Sequence, residues 1–229
     1  MGMPTPLAVL ACIAAGALAG FVNGTIVTRA CVPAFIVTLG MLGIARGLAL
    51  VISDGRVIYG LPSAMVYIGQ GRPFGIPMPV IIFVVTAIVM HCLLAYTRFG
   101  RHTLAIGDSE NAARTAGIAV ERQRLILYTL SGGLAGLAGL LFATRINSGD
   151  PTAGLTYELT AITAAIIGGT NLFGGRGSIL GALFGALIVG VFTLGLRLLG
   201  ADAQWTFLLI GLLIIAAVAV DQWIRKVSA

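Results

Sequence analysis

Apolar residues in this chain run in long blocks instead of alternating or recurring on one helical face. Met1–Thr28 contains no charged residue, and neither do Pro73–Thr97, Leu125–Thr144, Gly177–Leu196 and Ala203–Val220. Leu159–Gly175 is shorter and equally free of charge, and Val32–Ile52 carries a single cation, Arg46. A membrane-crossing helix needs about 20 mostly apolar residues to cover a hydrocarbon core about 30 Å thick. The pattern therefore predicts seven spans, near residues 6–28, 32–52, 77–97, 125–146, 157–173, 178–199 and 205–223. Segment 157–173 is short and Gly-rich, which also suits a re-entrant piece. The fold class is an all-α polytopic transmembrane helix bundle.

Composition strengthens this reading. Hydrophobic residues make up 58% of the 229 residues and charged residues 10%, where soluble domains carry about 25% charge. No core of this length hides so much apolar surface from water, so an ordinary soluble domain and a disordered chain are both excluded. Glycine is abundant and patterned: Gly16, Gly20 and Gly24 recur every four residues, as do Gly177, Gly181 and Gly185, with Gly132 and Gly136 as a further pair. That spacing puts small residues on one helix face and lets two backbones approach closely. Plain helix contact and a tightly packed pore wall both fit. The three cysteines, Cys12, Cys31 and Cys92, show no CxxC spacing and read as buried small hydrophobes, not as a redox or metal site.

Net charge is +6, carried almost entirely by arginine. The arginines sit singly between apolar runs, so the excess reads as the cytoplasmic positive charge that orients membrane helices, with no nucleic-acid partner. With the loop from Arg98 to Arg124 in the cytoplasm, five arginines lie there (Arg98, Arg101, Arg114, Arg122, Arg124). Alternation adds Arg29, Arg176, Arg225 and Lys226 to the same side, so 5 + 4 = 9, against the four of Arg56, Arg72, Arg145 and Arg197. The C-terminus is then cytoplasmic, and seven spans place the N-terminus outside. Either helices are missing upstream, or Arg29 alone holds the first span in that orientation.

Enzyme chemistry finds no footing in the sequence. HExxH, CxxC and GxSxG are absent, and Glu158 and Asp221 lie at span ends. Away from span ends only Arg46 and His91 offer ionisable groups of the kind a proton relay needs; Arg46 is close enough to an interface to snorkel, and His91 reads as a hydrogen-bonded interior residue. The run Gly168–Ser178 is Gly-rich but is no phosphate loop, because the Lys is replaced by Arg176 and the flanks are spans. It predicts a tight turn between two helices. The expected chain is therefore not an enzyme, and it holds no cofactor and no metal.

The most informative polar stretch lies between Thr97 and Val120. Asp108 suits an N-cap, Glu110 adds favourable charge to the first turn, and Gly117 suits a C-terminal stop. The outcome is a cytoplasmic helix of about two turns, too short to be stable alone in water. Such a helix needs a partner groove or a membrane interface.

At this stretch the sequence resembles the permease subunits of bacterial ABC importers, in the branch that carries ribose and other monosaccharides. The resemblance rests on Pro33–Leu39 followed by Arg46-Gly47, on Gly71–Pro77, on Gly107–Ile118, and on the blocks Pro151–Gly154, Tyr157–Leu159, Ile167–Thr170 and Phe173–Ser178. It covers nearly the whole chain, read as a single permease domain over residues 1–229 with a coupling loop at 98–124. It implies a transmembrane subunit that forms the translocation path in the bacterial plasma (inner) membrane. The implied partners are a cytosolic ABC ATPase, an extracytoplasmic solute-binding protein, a second permease subunit and a small-molecule solute, a ribose-like sugar. Branched-chain amino acids or another small solute are the alternative cargo, and an inactive truncated fragment is the alternative state. Asp108, Glu110, Ala112, Ala113 and Gly117 fall on the implied coupling helix. Asn23, Thr38, Thr163 and Asn171 are the neutral polar groups assigned to the translocation path.

Some positions depart from the family's pattern. The family often has Glu where Asn111 stands, Asp where Thr160 stands, and Asn near Thr193 and Arg197. It usually begins with roughly two more apolar segments, so the chain is expected to be short at its N-terminus.

Overall fold

The computed structural model describes residues 4–171 and 174–200, together with 205, 208, 209, 211, 212 and 215. In chain order the elements are α1 (Thr5–Arg29), α2 (Ala34–Ser53), β1 (Ile58–Tyr59), α3 (Ser63–Gln70), a 3-10 turn (Pro73–Gly75), α4 (Met78–Tyr96), α5 (Arg98–Asp108), α6 (Glu110–Thr115), α7 (Val120–Ile146), β2 (Ser148–Gly149), α8 (Tyr157–Ile167) and α9 (Ile179–Leu198). Five of these, α1, α2, α4, α7 and α9, are long and apolar enough to cross a membrane. Their outward surfaces are apolar: Val51, Ile52, Phe35 and Leu187 are exposed, and α4 buries none of its residues. In water such surfaces would aggregate; in lipid they are the expected solvent-facing side.

The predicted spans 6–28, 32–52, 77–97, 125–146 and 178–199 thus coincide with helices. Within 157–173 the helix is shorter than a span, which suits the re-entrant alternative. Helix α8 has 11 residues, about 16 Å at 1.5 Å per residue, roughly half of a hydrocarbon core. Gly168 and Gly169 end it: Gly169 takes φ +80°, its N–H donates to the Ile166 carbonyl at 2.9 Å, and Thr170 N–H donates to the Ala165 carbonyl at 3.0 Å. This is a Schellman stop, which glycine's tolerance of left-handed φ permits. Most of the predicted span 205–223 lies outside the described residues.

The chain divides into two compact units, Met1–Val85 with Ala119–Gly154, and Thr86–Ile118 with Leu155–Ala229. In the first, α1 and α7 run antiparallel in close contact. A β-carbon on Gly16 would strike the Gly132 carbonyl and approach Gly136 Cα to 2.9 Å, while one on Gly132 would strike the Gly16 carbonyl and approach Gly20 Cα to 2.9 Å. Gly24 faces Leu125 and Tyr128. The four-residue glycine spacing therefore serves direct backbone contact in this pair. Without a hydrophobic drive between helices in lipid, this closeness supplies the dispersion that holds the pair.

The C-terminal end of α7 carries a small cap that hydropathy does not announce. Asn147 sits in left-handed backbone, φ 54°. Its side-chain oxygen accepts from Leu61 N–H at 3.1 Å, and Gln70 Nε2 donates to the Arg145 carbonyl at 3.0 Å. β1 pairs antiparallel with β2, Ile58 opposite Gly149 and Tyr59 opposite Ser148. Beyond it, the Asp150 carboxylate accepts from the Thr152 hydroxyl at 2.7 Å and the Thr152 N–H at 2.8 Å. These two bonds hold its pKa below the usual carboxylate value. The turn therefore keeps its support above the ordinary carboxylate range and loses it only as pH falls through the lowered value.

In the second unit α8 and α9 form an antiparallel hairpin. A β-carbon on Gly181 would strike the Gly168 carbonyl, and one on Gly185 the Ala164 carbonyl. α4 meets α5 at an equally tight elbow, where a β-carbon on Gly100 would run into the Leu94 carbonyl. The cysteines are free, and the reading of all three as buried is corrected: Cys31 and Cys92 are exposed on the chain's own surface, and Cys12 is half-buried. A thiol is apolar enough that a lipid-facing position leaves no polar group stranded.

Candidate functional site

The polar loop folds as two helices, not one. α5 runs on through Asp108, which corrects the assignment of Asp108 as the N-cap. The cap is Ser109. Its backbone is extended at φ −151°, ψ 111°, and its hydroxyl accepts from Ala112 N–H at 3.3 Å. The side chain that caps is the one whose own backbone has left the helix, and that is one residue later than charge alone suggests. Asp108 instead ends α5 as an exposed carboxylate.

α6 has six residues. Glu110 in its first turn bonds Arg114 at 3.1 Å, an i,i+4 pair that also places each charge at the favourable end of the helix. Gly117 ends it as expected. It takes φ +82°, its N–H donates to the Arg114 carbonyl at 3.0 Å, and Ile118 N–H donates to the Ala113 carbonyl at 3.0 Å. So short a helix is stable only because it is closed at both ends and anchored on one side. Ala113 is that anchor: it is 3% exposed, while Asn111, Ala112, Thr115 and Ala116 face outward. The surface offered to a partner is thus small and mostly neutral, with Ala113 turned inward.

Behind α6 lies the Gly-rich turn that follows α8. Asn171 N–H donates to the Arg176 carbonyl at 2.9 Å and Gly174 N–H to the Asn171 carbonyl at 3.2 Å, which closes the turn on itself. Gly174 and Gly175, at φ +98° and +80°, lie against the α5–α6 junction. A β-carbon on Gly175 would stand 3.1 Å from Asp108 Cα, and one on Gly174 would stand 2.9 Å from Gly107 Cα. Two stretches 60-odd residues apart in sequence thus meet backbone to backbone.

Of the four residues assigned to the translocation path, Asn23 and Thr38 belong to the first unit and Thr163 and Asn171 to the second. Asn171 lies in the turn just described. Thr163 is fully buried in the second unit, and its hydroxyl donates to the Leu159 carbonyl at 2.7 Å. Thr38, in the first unit, is exposed and donates to the Ala34 carbonyl at 3.0 Å. Back-bonding of this kind satisfies a hydroxyl in lipid without any partner helix. Asn23 differs. Its Oδ1 is buried and has no hydrogen-bond partner, and an unpaired amide oxygen inside a membrane helix is costly. Between α1 and α7 an open apolar groove of about 510 Å³ is lined by Ile13, Ala17, Phe21, Leu130, Gly133 and Leu137. Among the described residues no three His, Cys, Asp or Glu side chains gather as a metal site.

A bundle of apolar helices with a capped polar elbow defines a multi-pass membrane protein. The chain belongs to the family described as branched-chain amino acid transport system / permease component, whose model matches residues 1–218. It is 50% identical over 236 residues to the fructose import permease protein of Rhizobium meliloti, covering 100% of this chain and 66% of that protein. It is 43% identical over 209 residues to the ribose import permease protein of Bacillus subtilis (strain 168), covering 90% of this chain and 64% of that one. A D-allose transport system permease protein of Escherichia coli (strain K12) is 38% identical over 223 residues, 97% of this chain and 68% of its own length. The chain thus spans about two thirds of the length of the curated relatives it matches. No solved structure matches it.

Proposed function

We propose that this chain is the membrane subunit of an ATP-driven importer for a monosaccharide, seated in the bacterial plasma membrane with its C-terminus in the cytoplasm. The observation that carries the reading is the match along nearly the whole chain to permeases named for fructose, ribose and allose. In this reading the chain supplies part of the path and carries no ATPase site of its own. A cytosolic ABC ATPase receives α6 in a surface cleft, an extracytoplasmic binding protein delivers the sugar, and a second permease subunit completes the path.

The physical features of the chain support these roles. α6 is a rigid, capped projection whose exposed small side chains leave room for close approach by another protein. Glu110 and Arg114 satisfy each other, so docking need not desolvate a lone charge. A neutral cargo suits spans nearly free of ionisable groups. Asn23 is the strongest of the four path residues, because its unpaired Oδ1 can accept from a sugar hydroxyl. Thr38 and Thr163 already donate their hydroxyl protons within the chain.

The family description also names branched-chain amino acid transport, so amino acid cargo is the second reading. An α-amino acid brings two charges, which such sites meet with half-helix ends or ions. Purified permease reconstituted with its ATPase and binding protein separates the two. Labelled fructose, ribose and leucine are offered in turn, and uptake is followed with and without ATP. Sugar accumulation with ATP is expected; accumulation of leucine alone overturns the sugar assignment.

A further inference from the structure

We infer that the seam between Gly107–Asp108 and Gly174–Gly175 transmits the ATPase-driven motion of α6 to the α8–α9 hairpin; this rests on the coupling role proposed for α6.

The argument is one of stiffness. A short helix pushed by a partner moves something else only where it is joined to it without slack. Most neighbouring elements meet through side chains, which have rotamers to yield. At this seam the facing atoms are backbone, apart from the Asp108 carboxylate at its edge. Gly107 meets Gly174 and Gly175 with no side chain on either face, and a β-carbon on any of the three would stand within about 3 Å of opposing backbone. The chain on either side of the seam is also fixed. α6 begins one residue after Asp108–Ser109 and is closed at both ends. On the other side the turn is closed by the Asn171–Arg176 and Gly174–Asn171 hydrogen bonds, and α8 ends in its own Schellman stop. From there the Gly168–Gly181 and Ala164–Gly185 contacts bind α8 to α9, again backbone to backbone. A displacement of α6 therefore has an unbroken rigid route into the hairpin. The glycines at 174 and 175 also hold positive φ, so a side chain there meets both strain and collision.

Gly107→Ala is the sharpest variant, because alanine improves the helix propensity of α5 itself. Any loss then arises at the seam. The complete importer is reconstituted in proteoliposomes, and three quantities are read: ATPase retained on the tagged permease, ATP hydrolysed, and sugar taken up. With Gly107→Ala the ATPase stays bound and hydrolyses ATP, while sugar moved per ATP falls about tenfold. Glu110→Lys, aimed at α6 itself, loses the ATPase. If Glu110→Lys keeps the ATPase and full uptake, the coupling role of α6 fails; if only Gly107→Ala transports normally, the seam proposal fails and the coupling role stands. Should Gly107→Ala not accumulate, spin labels on cysteines placed at the exposed Ala105 and Leu180 decide, in a chain that keeps Gly107 and has Cys12, Cys31 and Cys92 replaced by serine. Their separation is expected to stay constant between nucleotide-free and ATP-bound complexes, since α5 and α9 move as one. A change of more than about 3 Å, two residues of helical rise, overturns the seam.

Discussion

Single glycines carry much of this structure, and they do so in different ways. Gly16, Gly20, Gly132 and Gly136 have no room for a β-carbon, while Gly139 and Gly190 face open space. The same residue type is thus essential at Gly136 and replaceable at Gly139, three residues away. Gly132→Val is expected to part α1 from α7 and to lower stability by about 1–3 kcal/mol, the usual cost of overpacking. Gly139→Ala, on the same helix, is expected to be neutral or slightly stabilising through helix propensity. Thermal unfolding of the purified protein in one detergent, followed for both variants, checks this; equal losses would contradict the contact geometry. The periodicity of these glycines is visible in the sequence. Which of them touch backbone is not, because Gly139 and Gly136 look alike until a partner helix is placed beside one of them.

Helices and turns show the same division between pattern and contact. α7 has 27 residues, about 40 Å, so Arg122 and Arg124 at one end and Arg145 at the other reach beyond a core about 30 Å thick. The long spans are legible because solvation in lipid leaves no choice: an apolar block of this length must satisfy its backbone internally. α8 is legible only in part: its short, Gly-rich segment suits a re-entrant piece, but its apolar run continues past the Gly168–Gly169 stop and hides where the helix ends. α6 lies between these cases. Its charge, its glycine stop and its shortness are in the sequence, but the cap falls on Ser109 and not on Asp108, and Ala113 turns inward. Ser109→Ala is expected to remove about 1 kcal/mol from α6, and Gly117→Val to cost at least as much through its positive φ. Each variant should weaken retention of the ATPase on the tagged permease without preventing insertion. Full retention in both would show that α6 is not the docking element.

For the molecule as a whole, orientation follows from an arginine bias and not from any contact. Cysteine placed at Asn111 is expected to react with a membrane-impermeant maleimide only from the cytoplasmic face of sealed vesicles. Cysteine at Tyr59, in the β1–β2 cap, is expected to react only from the opposite face. These are exposed positions, and native Cys31 and Cys92 are replaced by serine beforehand. Labelling of both from one side would overturn the alternation on which the topology rests.

The sequence by itself determined that this chain is a lipid-embedded helix bundle, where five of its spans lie, and which loop is polar and projecting. Those features depend on hydropathy, length and end chemistry, all of them local along the chain. Only the tertiary structure decided that α8 stops halfway, that the α7 end is capped from β1 and α3, and that the turn at 174–175 leans on the α5–α6 junction. Each of these depends on residues far apart in sequence meeting at backbone distance. A pattern of small residues permits such meetings without saying which will occur.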